Sequence, residues 1–154
     1  MKKWLVFMAA VLVIAGLNAA LAEGVVLINE PDSANVTSLD DMRIDVPVDL
    51  GDTVYTVTRA EMSETQLMLY VDVFNYLPKT VSYFKDAKVT VTYVGERGEY
   101  VFEGYAYGDI TVSQLATERV WFCCDVTEFV TSNQGELRME IASGNVVLTY
   151  YFRK

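Results

Sequence analysis

From Glu23 onward, apolar and polar positions alternate with a period of two, the repeat of a strand whose successive side chains point to opposite faces. The clearest stretch runs from Thr65 to Leu77. There Leu67, Leu69, Val71 and Val73 share one face, and Met68, Tyr70, Asp72, Phe74 and Tyr76 share the other. Asp52 to Ala60 precedes it, and Met62-Ser63-Glu64 supplies a hairpin turn between the two. The run Asn75-Tyr76-Leu77-Pro78-Lys79 ends the pattern, because proline has no amide to give to a ladder. Lys88 to Val94 then sets Val89, Val91 and Tyr93 against Lys88, Thr90 and Thr92. Gly95-Glu96-Arg97-Gly98 turns the chain, and Glu99 to Tyr107 returns as the partner strand. Arg119 to Val126 places Val120, Phe122, Cys124 and Val126 on one side. Leu137, Met139 and Ile141 mark the next strand; Ser143-Gly144-Asn145 turns, and Val146, Leu148, Tyr150 and Phe152 close the chain.

Other segments are less regular. Gly24 to Asn29 is a short apolar run suited to a first strand, and Glu30 to Asp41 reads as a polar loop or linker. Met42, Ile44, Val46 and Val48 alternate within Met42 to Leu50, where Pro47 points to a sheet edge. Ser113 to Glu118 offers one turn of helix at most. Eight or nine strands with hairpin turns and no intervening helices predict an all-β fold. The strands differ in length and long loops interrupt them, which favours an antiparallel β-sandwich over a barrel.

The first residues follow a different logic. Met1-Lys2-Lys3 is positive, Trp4 to Gly16 is apolar and uncharged, and Ala20-Leu21-Ala22 has the small-x-small pattern that a signal peptidase needs. The apolar core is shorter than the about 20 residues that a spanning helix wants. Residues 1–22 are therefore expected to be a cleaved signal peptide. Residues 23–41 would then be an N-terminal strand and polar linker, and 42–154 the sandwich. No cysteine follows the apolar core, so a lipoprotein is not expected; the mature chain should be secreted and soluble, with no membrane span.

Cleavage after Ala22 would leave 132 residues, enough for one domain with a real core. The leader holds two lysines and no acids, so the net charge moves from −9 to −11. Such a chain should avoid nucleic acid and anionic membrane surfaces. The sequence contains no histidine. That removes Ser-His-Asp and Cys-His catalysis and the ordinary zinc sites, while carboxylate-only chemistry and oxygen-ligated metals stay open. No cofactor is expected.

The segment from Thr53 to Tyr76, ending in Val71-Asp72-Val73-Phe74-Asn75, resembles the opening of immunoglobulin-like β-sandwich domains found in secreted Firmicutes proteins of unknown function. Leu115 to Val126, a loop leading into a strand with Val120 and Phe122, resembles their later strands. The similarity implies an immunoglobulin-like fold and an extracellular setting, and it carries over no catalytic residue. The Cys…Trp…Cys spacing of antibody domains is absent.

Cys123 and Cys124 are adjacent in a strand, so their side chains leave on opposite faces and ordinary disulfide geometry is closed to them. They are a candidate redox pair or soft-metal grip; the bland alternative packs Cys124 with Val120 and Phe122 and sets Cys123 beside Trp121, and a third reading is an intermolecular disulfide through Cys123. Asp40, Asp41, Asp45, Asp49 and Asp52 lack the spacing of a calcium loop and read as solvated acids. Glu99 and Glu103 share a strand face at roughly 13 Å, generous for a glycosidase pair. Aromatic residues crowd two strands: Tyr100, Phe102, Tyr105 and Tyr107, then Tyr150, Tyr151 and Phe152. Tyr105 and Tyr107 are the candidate platform on which a sugar could stack. The sequence thus points to a secreted, non-enzymatic binding or interaction module whose partner is an extracellular protein or carbohydrate. Two alternatives stand beside it. One is a protease inhibitor presenting Glu30 to Asp41 or Gly108 to Glu118; the other is a carboxylate-only enzyme.

Overall fold

The computed structural model describes residues 36–108 and 110–153. The expected signal peptide, the apolar run Gly24 to Asn29 and the first part of the polar loop lie outside the described residues. Eleven strands and one short helix occur among those described. In order they are β1 (Thr37–Leu39), β2 (Pro47–Asp49), β3 (Thr53–Met62), β4 (Gln66–Asn75), β5 (Val81–Tyr83), β6 (Lys88–Gly95), β7 (Gly98–Ala106), β8 (Ile110–Val112), β9 (Thr117–Asp125), α1 (Glu128–Ser132), β10 (Gly135–Ser143) and β11 (Val146–Phe152).

Nine strands follow one continuous hydrogen-bonded order, β1-β11-β10-β6-β7-β9-β4-β3-β2, which divides at β7 into a first sheet, β1-β11-β10-β6-β7, and a second, β7-β9-β4-β3-β2. Strand β7 belongs to both. It pairs with β6 from Gly98 to Gly104, then crosses, so that Tyr105 faces Cys123 and Ala106 faces Phe122 of β9. A separate two-stranded ladder joins β5 to β8.

The core lies between the sheets, drawn from the faces that the alternation marks. Leu67, Leu69, Val71 and Val73 of β4 meet Val89, Val91 and Tyr93 of β6, Val120, Phe122 and Cys124 of β9, and Leu137, Met139 and Ile141 of β10 in one apolar cluster. Each such side chain contributes about 1.5–3 kcal/mol by leaving water. The chain is therefore a two-sheet β-sandwich. The hairpin loops expected at Ser63, Glu96 and Gly144 form; Gly98 and Gly144 take the positive φ that their turns require.

Four features differ from the sequence reading. The strands number eleven because β1, β2, β5 and β8 are each three residues long, too short for alternation to register. Met42 to Leu50 is not one strand: Asp41 and Asp45 take positive φ, Ile44 and Val46 are exposed, Ile44 makes a single parallel bridge to Val57, and Pro47–Asp49 pairs with β3 at the sheet edge that proline favours. The sandwich is not wholly antiparallel, since β1 runs parallel to β11. The helical turn falls at Glu128–Ser132 instead of Ser113 to Glu118. It is anchored by Val130, fully buried, and by Phe129, which packs edge-on to Tyr93.

At the end of β4 the chain buries a polar side chain completely. Asn75 Nδ2 donates to the carbonyls of Lys79 and Val112 at 2.8 and 3.0 Å. Its Oδ1 accepts from the Leu77 amide at 3.0 Å and from the Tyr83 hydroxyl at 3.1 Å. The Tyr83 oxygen also lies 2.9 Å from the Thr53 hydroxyl. The residue that ends the alternation thus fastens β4 to β5, β8 and the 76–79 turn.

Candidate functional site

The outer face of the second sheet carries the most unusual surface. Even-numbered positions of β4 and odd-numbered positions of β9 point away from the core, and the antiparallel register pairs Tyr70 with Trp121 and Met68 with Cys123. On the far side of β9, Tyr105 pairs with Cys123, and the Tyr107 amide donates to the Trp121 carbonyl at 2.9 Å. On β3, a register shift between Val57 and Arg59 sets Arg59 opposite Tyr70 and Glu61 opposite Met68. Two rows result: Glu61, Met68, Cys123 and Tyr105 in one; Arg59, Tyr70, Trp121 and Tyr107 in the other.

The rings touch in sequence. Tyr105 and Tyr107 lie 5.4 Å apart between centroids, Tyr107 and Trp121 5.4 Å, and Trp121 and Tyr70 6.5 Å; the Arg59 guanidinium stands 5.6 Å above the Tyr70 ring. Tyr105, Tyr107 and Trp121 remain 42%, 53% and 37% exposed, a large apolar area for a surface to leave in water. Hydrogen-bonded polar pairs bound the strip lengthwise. On one side Gln66 donates to Asp125 at 3.0 Å; on the other Arg119 grips Asp72 with two bonds, at 2.5 and 2.9 Å. The Arg59–Glu61 pair closes the β3 end. At the β7 end the strip is open and meets a groove of about 470 Å³ that includes Lys85, Asp86 and Gly108.

Tyr105 and Tyr107, singled out in the sequence, therefore sit in one surface with Tyr70, Trp121 and Arg59, which the sequence reading did not assign to it. Tyr100 and Phe102 stay with the part of β7 that pairs with β6. Hydrogen bonding to the Cys123 thiol, and next to Tyr107, holds the Tyr105 phenol above its ordinary pKa. The phenol therefore remains a hydrogen-bond donor throughout the neutral range.

Cys123 and Cys124 are both free and buried. Cys124 joins the core cluster, whereas Cys123 lies outside that cluster, between Met68 and Tyr105 in the outer row. Burial pushes the Cys124 thiol up to about 11, with the neighbouring Cys123 and Asp125 adding to it. Neither thiol should react with a thiol reagent in the native protein at neutral pH, and both should react after denaturation. Rapid native labelling of either would contradict this placement.

The raised Cys124 value also sets a pH dependence. Between an ordinary value of 9.0 and about 11 the unfolded chain has lost this proton and the folded chain keeps it. Stability is therefore complete below about pH 9 and falls as pH rises, on the order of 2 kcal/mol by pH 11 from this group. Urea midpoints measured across that window should decline, and Cys124→Val should flatten the decline. An equal decline in the variant would remove Cys124 as its source.

The remaining candidates are placed apart. Asp40 accepts from Ser38, Asp41 lies near Arg43 and Arg153, and Asp49 accepts from the Gly51 amide. Among the described residues no three acids or cysteines converge as a metal site. Glu99 and Glu103 are exposed on β7. The 108–118 loop is largely paired: β8 joins β5, and Leu115 and Ala116 bond the backbone of Asn75. No helix among the described residues is long and apolar enough to cross a membrane.

The fold has a counterpart among solved structures. An uncharacterized β-sandwich protein from Clostridium difficile 630 is similar at 12% identity and a TM-score of 0.56, over 75% of this chain and 95% of that one. This agrees with the resemblance to Firmicutes sandwich domains read from the sequence, and at this identity it concerns fold alone. A β-glucosidase from Kluyveromyces marxianus is similar over 66% of this chain and only 14% of that one, at 12% identity and a TM-score of 0.42. That match is too loose and too partial to bear on activity. No family model and no curated protein matches the sequence.

Proposed function

We propose that this protein is a secreted, non-enzymatic binding module that takes its ligand on the outer face of the second sheet. The observation that carries the reading is the unbroken run Tyr105, Tyr107, Trp121 and Tyr70, laid across three strands and left partly in water. Keeping three large rings exposed side by side favours aggregation unless something covers them. Tyrosine and tryptophan are also the residues that return the most binding energy per ordered side chain. Secretion is supported by the leader pattern of residues 1–22, and the absence of enzymatic activity by the absence of histidine.

Screened on a surface that presents extracellular glycans and extracellular proteins side by side, the wild-type protein should be retained on at least one of them and leave it chemically unchanged. Trp121→Ala should lose that retention while still melting as a cooperatively folded protein. Equal retention of the variant on every captured ligand would overturn the reading, as would turnover of the ligand or no retention at all.

A further inference from the structure

We infer that the strip is a subsite row for a neutral polysaccharide whose chain lies across the strands, from β4 toward β7. The inference rests on the strip being the binding face and adds the chemical class of its ligand.

Width is the first argument. The apolar strip is two residues wide along the strand, roughly 7 Å between rows, and both long margins are polar pairs. A stable protein–protein interface needs roughly 800 Å² on each partner around a broad apolar centre. A pyranose ring is the opposite shape, apolar on its C–H faces and hydroxylated around its edge. Rings beneath it meet the apolar face, while Gln66–Asp125 and Asp72–Arg119 lie where hydroxyls project, offering both donors and acceptors.

Spacing is the second. Trp121 and Tyr107 are the open rings and their centroids step by 5.4 Å, while Tyr70, 6.5 Å beyond Trp121, carries the Arg59 guanidinium over its ring and ends the row. That 5.4 Å step is close to the length of one sugar unit, so two successive units find a ring each. The row is closed at the Arg59–Glu61 pair and open at Tyr105, where the 470 Å³ groove beside Lys85 and Asp86 gives the chain a way on.

Charge decides the class. The sequence carries a net −9; at the strip Asp72 and Glu61 are each paired with an arginine, Arg119 and Arg59, while Asp125 accepts from the neutral Gln66 and keeps its charge there. A polyuronate or sulfated glycan would meet this field as a like charge. A neutral chain pays no such penalty, and its binding should be nearly independent of salt.

The test is affinity electrophoresis in gels containing a soluble linear neutral glucan, a neutral mannan or a polyuronate, each at low and high salt. At least one neutral polymer should retard the wild-type protein at both salt levels, and the polyuronate should not. Trp121→Ala and Tyr107→Ala should each weaken retardation roughly tenfold, about the effect of losing one aromatic contact. Tyr100→Ala, on the part of β7 that faces away from the strip, should match wild type. Tyr107 is half exposed, so its variant remains informative if Trp121→Ala is unstable. Retardation only by the polyuronate, or by no neutral polymer, would overturn the inference. A Trp121-dependent protein ligand found in the screen above would then leave the binding face standing and remove only the glycan.

Discussion

Asn75→Leu should destabilise the protein by about 3 kcal/mol, a substantial fraction of the roughly 5–15 kcal/mol that holds a domain folded. Leucine keeps the branching of asparagine but is bulkier, so in a fully buried site crowding adds to the loss of the hydrogen bonds. The fully buried amide satisfies four partners, and the Val112 carbonyl, bonded in a buried site, has the poorest access to water once Nδ2 is gone. The bonds to Lys79, Leu77 and Tyr83 are partly buried, so water recovers some of their energy. Asn75→Asp keeps the shape and the acceptor but points an oxygen at two carbonyls, and should cost at least as much. Tyr83→Phe removes the Tyr83 hydroxyl alone and should cost about 1 kcal/mol. Urea melts of the three variants give the comparison, with the midpoint shifting and the slope unchanged. An Asn75→Leu loss no greater than that of Tyr83→Phe would show that the network is not what fastens β4 to β5 and β8.

The contrast between Asn75 and its neighbours shows where the sequence was legible. Alternation along β4 identified Leu67, Leu69, Val71 and Val73 as core, and all four are buried, because the period of a strand fixes which side chains share a face. The same alternation marks Asn75 only as a place where the pattern stops. Its role depends on carbonyls of Lys79 and Val112 brought to it by turns and by β8, and no local pattern encodes those approaches. The binding face follows the same division. Tyr105 and Tyr107 stood out as aromatic positions in one strand. Trp121 and Tyr70 join them through the β4–β9 register, a pairing between segments far apart in the chain. Arg59 was hidden for a further reason. It has the same parity as Thr53, Tyr55 and Val57, which point inward, and only the register shift after Val57 turns it to the outer face. Cys123 and Cys124 were predictable as a pair split between two faces, because adjacent strand residues cannot do otherwise.

Gly104→Ala should cost about 1–3 kcal/mol and weaken whatever ligand the strip holds. In an ordinary strand the change from glycine to alanine is favourable, since alanine surrenders less conformational freedom. Here the sign reverses. Gly104 is the last residue of β7 paired with β6, directly before Tyr105 pairs with β9, so the backbone passes between the sheets at its Cα. A Cβ added there would lie 2.5 Å from the Cys123 carbonyl oxygen, 2.7 Å from a Val89 methyl and 3.0 Å from the Cys124 Cβ. A methyl can rotate or shift, but the Cys123 carbonyl belongs to the β9 backbone, and moving it disturbs the pairing that aims Tyr105. The backbone clash therefore outweighs the entropic gain. Loss of stability alone would show only that the crossing is tight. The fuller expectation is that Gly104→Ala, assayed at a temperature where it remains folded, also loses retention in the ligand screen, because Tyr105 and Tyr107 hang from the displaced segment. A variant with the wild-type urea midpoint would mean that the two sheets can part to admit a methyl at this crossing. A destabilised variant with undiminished retention would place the binding energy on Trp121 and Tyr70, and would assign to β7 the role of holding the sandwich together.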